Sequence, residues 1–441
     1  MGNTQETSYV KEYMKYACLN VLGMMGLSCY ILADTFFVSK GLGANGLAAL
    51  NLAIPVYSFI HGCGLMLGMG GATKYAIYRS QGRSRNADSM YSNTLFVSAV
   101  FAGIFLLGGA FLSEHITAWL GADDEIFAMT NIYLRVIMLY APAFIMNDVL
   151  NCFVRNDGNP KLSMFAMLGS SMTNIVLDYV LIFPLHMGIF GAVFATGLSS
   201  TTGILILSGH WWSRKNKVHF VKTKMQWRRM FFSVSLGFPS LVTEVSSGIV
   251  MIVFNMILLN LEGNIGVAAY GVIANLSLVI TAIYTGIAQG VQPLLSRTYG
   301  TNDKKNMRRL LCCAMATMFV LSCVVYGLVF LFADPITQIF NSEQNRRLQE
   351  IAVSGLKLYF TGIVFVGCNI ILSVFFTSTE KAFPAHIVSL MRGLILIVPM
   401  AFLLSSLWKM TGVWLALPVT EGIVAVLGVI LYRKFGRRTC A

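Results

Sequence analysis

Two acids stand inside apolar stretches of this sequence. Asp178 lies in "TNIVLDYVLIF" (173–183) and Asp34 in "ILADTFF" (31–37). A carboxylate at the centre of a bilayer costs about 2.5–3.5 kcal/mol on insertion scales, so keeping one there asks for a function. Asn174 precedes Asp178 by one helical turn, and Ser171 extends the same face. At 1.5 Å per residue, Asp178 falls about 9 Å below the outer end of its apolar run, Asp34 about 8 Å and Thr196 about 10 Å, with Tyr140 somewhat deeper. Two carboxylates, an amide oxygen and hydroxyls at one depth suit a hard cation such as Na⁺, and either acid can hold a proton instead. The competing reading is a set of structural hydrogen bonds between helices. Those are worth only about 0.6–2 kcal/mol, too little to justify two ionised acids.

Other polar residues in apolar runs are less telling. Glu244, beside Pro239, is a candidate to meet a cationic substrate, with Met167, Ser171 and Gln289 as further candidate contacts. Glu421 reads as either a functional acid or a packing one. Arg135 and Lys357 are expected to snorkel or to pair structurally, as is Arg392. His61, alone in its run, reads as a packing residue or as part of a structural hydrogen bond. The nine cysteines, Cys440 at the tail among them, follow no metal spacing. The 24 methionines suit a core and an adaptable pocket.

These residues need helices to hold them at depth. The chain has 441 residues, 56% hydrophobic and 12% charged, about half the charge of a soluble domain. Apolar runs long enough to span recur at 16–39, 46–73, 90–112, 126–153, 162–184, 189–209, 231–259, 266–296, 310–333, 350–378, 384–406 and 412–432. The expected fold is therefore all-α and integral to the membrane, with twelve transmembrane helices. The opening "MGNTQETSYVKEYMKYA" does not read as a cleaved signal.

The net charge of +13 labels a membrane face rather than a nucleic-acid site. Basic runs such as "YRSQGRSR", "SRKNKVHFVKTKMQWRR" and "SRTYGTNDKKNMRR" all fall on one side, which puts both termini and the 210–230 linker in the cytoplasm. The halves also repeat. "GLAAL" (46–50) parallels "GVAAY" (266–270), Gly70 parallels Gly290, and "GAVFA" (191–195) parallels "GVWLA" (412–416). The expected division is a six-helix lobe over 1–209, a basic linker over 210–230 and a second lobe over 231–441. Such pseudo-symmetric lobes commonly hold substrate between them and rock for alternating access. The repeat puts Pro399 opposite Asp178, so the second half does not copy the acid.

Several stretches together resemble the MATE (multidrug and toxic compound extrusion) family over essentially the whole chain. They are "DTFFVSKGLGANGLAALNLAIP", "RNDGNPKLSMF", "NIVLDYVLIF", "GIFGAVFATGLSS", "GFPSL", "GIAQGVQPLLSRTYG" and "GVWLALPVTE". Among its branches, small bacterial multidrug exporters and the DinF-like branch look nearest. The resemblance implies export of cationic, amphipathic drugs or metabolites in exchange for H⁺ or Na⁺. It also implies a bacterial plasma membrane, a monomer among lipids, and no cofactor beyond the coupling ion. The family's first-lobe cation site matches Asp34, Asn174, Asp178 and Thr196, with a tyrosine near Tyr140. Leu19 departs from the family's usual first-span proline, leaving Gly23 and Gly26 as points where that helix can flex. A lipid or lipid-linked sugar flippase of the same superfamily is the alternative. No HExxH or credible nucleophile and base marks an enzyme.

Overall fold

The computed structural model describes residues 2–341 and 344–436, and every regular element among them is helical. Cys440 and the last arginines lie outside the described residues. Eight helices are long and apolar enough to cross a membrane. Three of these are double crossings, interrupted at Gly43, at Gly263 and at Trp408–Lys409. A further crossing is the pair Phe127–Leu139 and Ala141–Asn156, bent by 48°. Counted this way, the described residues make twelve crossings. They are α1 (2–42), α2 (44–80), α3 (Ser84–Phe111), α4 (Phe127–Leu139 with Ala141–Asn156), α5 (Pro160–Ile182) and α6 (Gly188–Ser208). The second set is α7 (227–262), α8 (264–300), α9 (Lys304–Leu331), α10 (Arg346–Ser378), α11 (382–407) and α12 (410–436).

The repeat is visible in the breaks. Gly43 (φ 70°, ψ −159°) and Gly263 (φ 63°, ψ −149°) adopt nearly one conformation. That region is open essentially to glycine alone. A Cβ at either would meet nothing within 4 Å, so backbone strain and not crowding demands glycine. Short helices follow α3 and α9 at matching places, Ser113–Trp119 and Ala333–Phe340. The α4 bend sits at Tyr140, just before Pro142, whose missing N–H is tolerated in a first helical turn.

Two compact units emerge. The first holds Lys15–Val245 and Gly300–Asn302. The second holds Ser246–Tyr299, the chain from Asp303 onward and its start up to Met14. The boundary falls inside α7, because α7 crosses α2 at a glycine notch within the first unit. A Cβ on Gly70 would run into the Ser233 carbonyl, and one on Gly237 into the Met66 carbonyl. In the second unit, Arg297 holds Glu12 with two hydrogen bonds, at 3.0 and 2.6 Å.

The basic linker is tied to the first unit. The backbone N–H groups of Lys217, His219 and Val221 donate to Asp157 Oδ2 (2.7 Å), Asp88 Oδ1 (3.3 Å) and Ser92 Oγ (2.9 Å). Side chains thus satisfy an extended backbone that no sheet supports. Within this unit α5 and α6 pack most extensively, which fixes the relative places of Asn174, Asp178 and Thr196.

Candidate functional site

Glycines let α1 approach α5. A Cβ on Gly23 would stand 2.8 Å from Met167 Sδ, and one on Gly26 would stand 2.6 Å from Leu168 Cδ2. These two glycines are packing notches in an α1 that runs unbroken to Gly43. The close approach brings Asp34 against Asp178, with the two carboxyls in hydrogen-bonding reach of each other. Two ionised carboxylates have no proton to share, so the contact is a hydrogen bond only when one of them is protonated. Without that proton, Asp34 Oδ1 and both oxygens of Asp178 are buried with no donor, and Asn174 Oδ1 is in the same condition. Asn174 and Asp178 are fully buried, and Thr196 nearly so. The Asn174 Nδ2–H group donates to Thr196 Oγ1 at 3.4 Å, and Thr196 donates to the Ala192 carbonyl at 3.1 Å. Both donors are therefore engaged elsewhere, which leaves a buried group of oxygen acceptors with nothing to accept. Chemically, such a group takes up a proton or a hard cation.

Tyr140 is placed differently from the other four. Its ring covers Gly197, next to Thr196, and meets Phe194 edge-on at 6.0 Å. Both contacts are to α6. The tyrosines that do lie in the field of both acids are Tyr30 and Tyr133. Tyr30 shares a hydroxyl–hydroxyl hydrogen bond of 3.0 Å with Tyr57. Sequence reasoning passed over all three, because aromatic residues in an apolar run read as core.

The candidate substrate contacts fall in both units. Met167 packs on Gly23, and Ser171 Oγ donates to the Met167 carbonyl at 2.8 Å, so both belong to the α1–α5 contact. Gln289 lies on α8 in the other unit. Glu244 lies on α7 in the first unit, near His61. His61 has a partner on another helix, in keeping with the structural-hydrogen-bond reading. Its Nδ1 lies 2.7 Å from Asp148 Oδ2. Asp148, in "IMNDVLN", is a further buried acid (7% exposed) that sequence reasoning missed. The rule that found Asp34, an acid inside an apolar run, applies to it equally.

The second unit holds its acid in another way. Glu421 Oε1 accepts from Arg392 Nε (3.1 Å) and Nη2 (3.0 Å), and Oε2 accepts from Asn369 Nδ2 (2.7 Å). A one-turn π-helix, Met391–Ile395, carries Arg392 into this pairing. Arg135 is exposed, and Lys357 lies over the Phe330 ring at 5.2 Å.

Comparison with known proteins gives a consistent picture. The family model described as MatE matches residues 20–180 and 239–403. The chain is 26% identical over 438 residues to the multidrug export protein MepA of Staphylococcus saprophyticus, spanning 97% of this chain and 94% of that protein. It is 27% identical over 443 residues to MepA of Staphylococcus haemolyticus, spanning 98% and 95%. Among solved structures it is similar to a multidrug resistance MATE family transporter of the MOP superfamily in an outward-facing conformation. The TM-score there is 0.91 at 23% identity, over 97% of this chain and 96% of that one. It is also similar to a MOP superfamily transporter from Pyrococcus furiosus described by a binding pocket of reverse polarity, with TM-score 0.86 at 24% identity over 96% and 95%.

Proposed function

Since this chain belongs to the MatE family of membrane transporters and is not an enzyme, we propose that it exports cationic, amphipathic drugs or metabolites. It does so in exchange for H⁺ or Na⁺ entering by way of Asp34 and Asp178. The observation that carries the reading is the set of buried acceptor oxygens on Asp34, Asn174 and Asp178 that no donor satisfies. An arrangement kept for packing would satisfy them, because a buried unpaired acceptor is costly. A site that fills and empties in each cycle has to leave them open. Full-length similarity to staphylococcal multidrug export proteins supports the substrate class. Paired acids speak against the flippase alternative, whose lipid phosphates they would repel.

The energetics suffice for useful export. One cation entering across about 100 mV supplies roughly 2.3 kcal/mol. That sustains about a fifty-fold gradient of a substrate moving without net charge. Exchange of one cation for one monovalent organic cation cancels this electrical contribution, so such export rests on the ion's concentration gradient or on a second ion.

The deciding experiment is efflux of ethidium from vesicles holding the purified protein, with H⁺ and Na⁺ gradients imposed one at a time. Uphill movement driven by at least one gradient is the expected result. Ethidium that merely equilibrates under both would overturn the exchange reading. Orientation is part of the proposal, with both termini and the 210–230 linker in the cytoplasm of a bacterial cell. Single cysteines placed in the linker and in the 113–125 loop should label oppositely with an impermeant reagent on intact cells, and the reverse pattern would invert the direction of transport.

A further inference from the structure

The strap that joins α6 to α7 is held to the first unit by its backbone. The N–H groups of Lys217, His219 and Val221 donate to Asp157, Asp88 and Ser92. Asp157 is itself fixed, because Tyr75 donates to its Oδ1 at 2.6 Å and His210 Nε2 lies 2.8 Å from its Oδ2. Further along, Thr223 Oγ1 donates to Asn93 Oδ1 at 3.4 Å and accepts from Ser89 Oγ at 3.2 Å. Asp88 and Asp157 are both buried, and both spend their charge on the strap's backbone and not on its basic side chains.

That arrangement leaves the positive charge outside. From 210 to 232 the sequence carries seven Lys or Arg and no acid. All seven are exposed, and among the described residues none of them forms an ion pair. Lys222 and Lys224 are two apart on extended backbone, so they point the same way about 7 Å from each other. Like charges this close repel, and the attachment of the strap does not need them. Aromatic rings stand among the charges. Trp211 and Trp212 come just after α6 ends at Ser208, and Trp227 opens α7. The Phe231 ring lies 6.1 Å from that of Trp227. Trp212 is 82% exposed and Phe220 73%. Lysines alone would suit a solvated face, but exposed tryptophans suit the headgroup level of a bilayer, and the ends of two crossings hold the strap there. Charge that served only to orient the chain would need neither a fixed backbone nor exposed rings.

We infer that the 210–232 segment is a docking surface for anionic phospholipid headgroups, with lipid phosphates on Lys217, Lys222, Lys224 and Arg228 and the rings of Trp212 and Trp227 set among the headgroups. Hydrogen bonds hold the backbone before any lipid arrives, so binding orders little besides side chains. Each basic residue near an anionic surface is worth about fivefold in affinity, so four together favour an anionic over a zwitterionic headgroup by about several hundredfold. The strap is tied to α3 through Asp88 and Ser92 and to the end of α4 through Asp157. Headgroups bound to it therefore anchor the first unit to one leaflet. That this is the inner leaflet rests on the cytoplasmic orientation proposed above, which cysteine labelling tests separately. The headgroup binding itself does not depend on orientation.

The test offers the purified full-length protein, in neutral detergent, an equimolar mixture of phosphatidylglycerol and phosphatidylcholine. Native mass spectrometry counts the lipid retained. The wild-type protein should retain phosphatidylglycerol in preference, and the preference should fade as salt rises from about 0.05 to 0.5 M and screens each charge. The combined variant Lys217→Gln, Lys222→Gln, Lys224→Gln and Arg228→Gln should lower phosphatidylglycerol retention at least about tenfold. Its unfolding temperature should stay at the wild-type value, because all four side chains are exposed. Lys217→Arg with Lys222→Arg and Lys224→Arg should keep the preference. A folded glutamine variant with the wild-type preference overturns the surface and leaves the exporter reading untouched, since no transport is measured. Displacement of the retained lipid by millimolar inorganic phosphate at fixed ionic strength would identify a site for free phosphate and overturn the lipid assignment. Should the glutamine variant fail to fold, the wild-type protein decides alone, and a preference that salt does not weaken overturns the inference.

Discussion

Asp178 in the first unit and Glu421 in the second are both buried acids on membrane-spanning helices, 0% and 3% exposed. Their surroundings differ in kind. Glu421 has both oxygens engaged, one by the Arg392 guanidinium and one by the Asn369 amide. A guanidinium does not give up its proton in a protein, so Glu421 has a fixed positive partner within hydrogen-bond distance. Asp178 faces Asp34, a second acid, and Asn174 turns an unsatisfied oxygen into the same region. In the first arrangement both carboxylate oxygens have donors, while Asn369 Oδ1 is buried without one. In the second the carboxylate oxygens are satisfied only with a proton or cation added. Chain repetition supplied two similar scaffolds, and the unsatisfied acid pair stands on one of them.

The comparison can be broken from the side of Glu421. Glu421→Ala leaves Arg392 buried without its counter-charge, and the expected loss is about 3–5 kcal/mol of stability. Thermal unfolding in detergent reads it directly. The paired change Arg392→Met with Glu421→Leu should recover most of that stability, since apolar residues of similar volume replace a buried pair with little penalty. Wild-type unfolding by the Glu421→Ala protein would remove the structural role.

A smaller effect tests whether the scaffolds themselves are equivalent. Gly43→Ala and Gly263→Ala each force a side chain into a glycine-only conformation, and each should cost about 1–3 kcal/mol. Near-equal shifts in unfolding temperature support two copies of one hairpin. A large cost at one position and none at the other would show that the turns are held by different means.

Next in size is Asn174→Ala, which removes an oxygen but no titratable group. If Na⁺ drives export, the half-saturating Na⁺ concentration should rise about tenfold, equivalent to about 1.4 kcal/mol. Transport driven by H⁺ alone should be little changed. An equal loss under both gradients would mean that Asn174 positions helices instead of contacting the ion. Smallest is Arg135→Ala on the exposed surface, expected within about 0.5 kcal/mol of wild type in unfolding assays. A shift above that would show that Arg135 has a structural partner.

How much of this was legible in the sequence varies with the physics of each feature. The crossings follow from apolar length, which every bilayer imposes, and Asp34 and Asp178 stand out because hydrocarbon makes an acid conspicuous. The breaks fall in the gaps 40–45 and 260–265 between apolar runs, but which glycine turns the chain was hidden, since only the backbone torsion singles out Gly43 and Gly263. The Arg392–Glu421 pair joins residues 29 positions apart on two helices, and no periodicity encodes such a contact. The partner of His61 was hidden for the same reason, because Asp148 lies on another helix. The tyrosine bridge could not be read at all, for a phenol in an apolar run shows its hydroxyl only when a second one is brought to it.

The central claim is that coupling resides in the open acids of the first unit, and Asp178→Asn in vesicles tests it most directly. The substitution removes a charge without changing shape, and it should leave the protein folded with an unfolding temperature at or above wild type. Uphill ethidium export under either ion gradient should disappear, while downhill equilibration persists. Normal uphill export by this variant would contradict the account and move coupling away from Asp178.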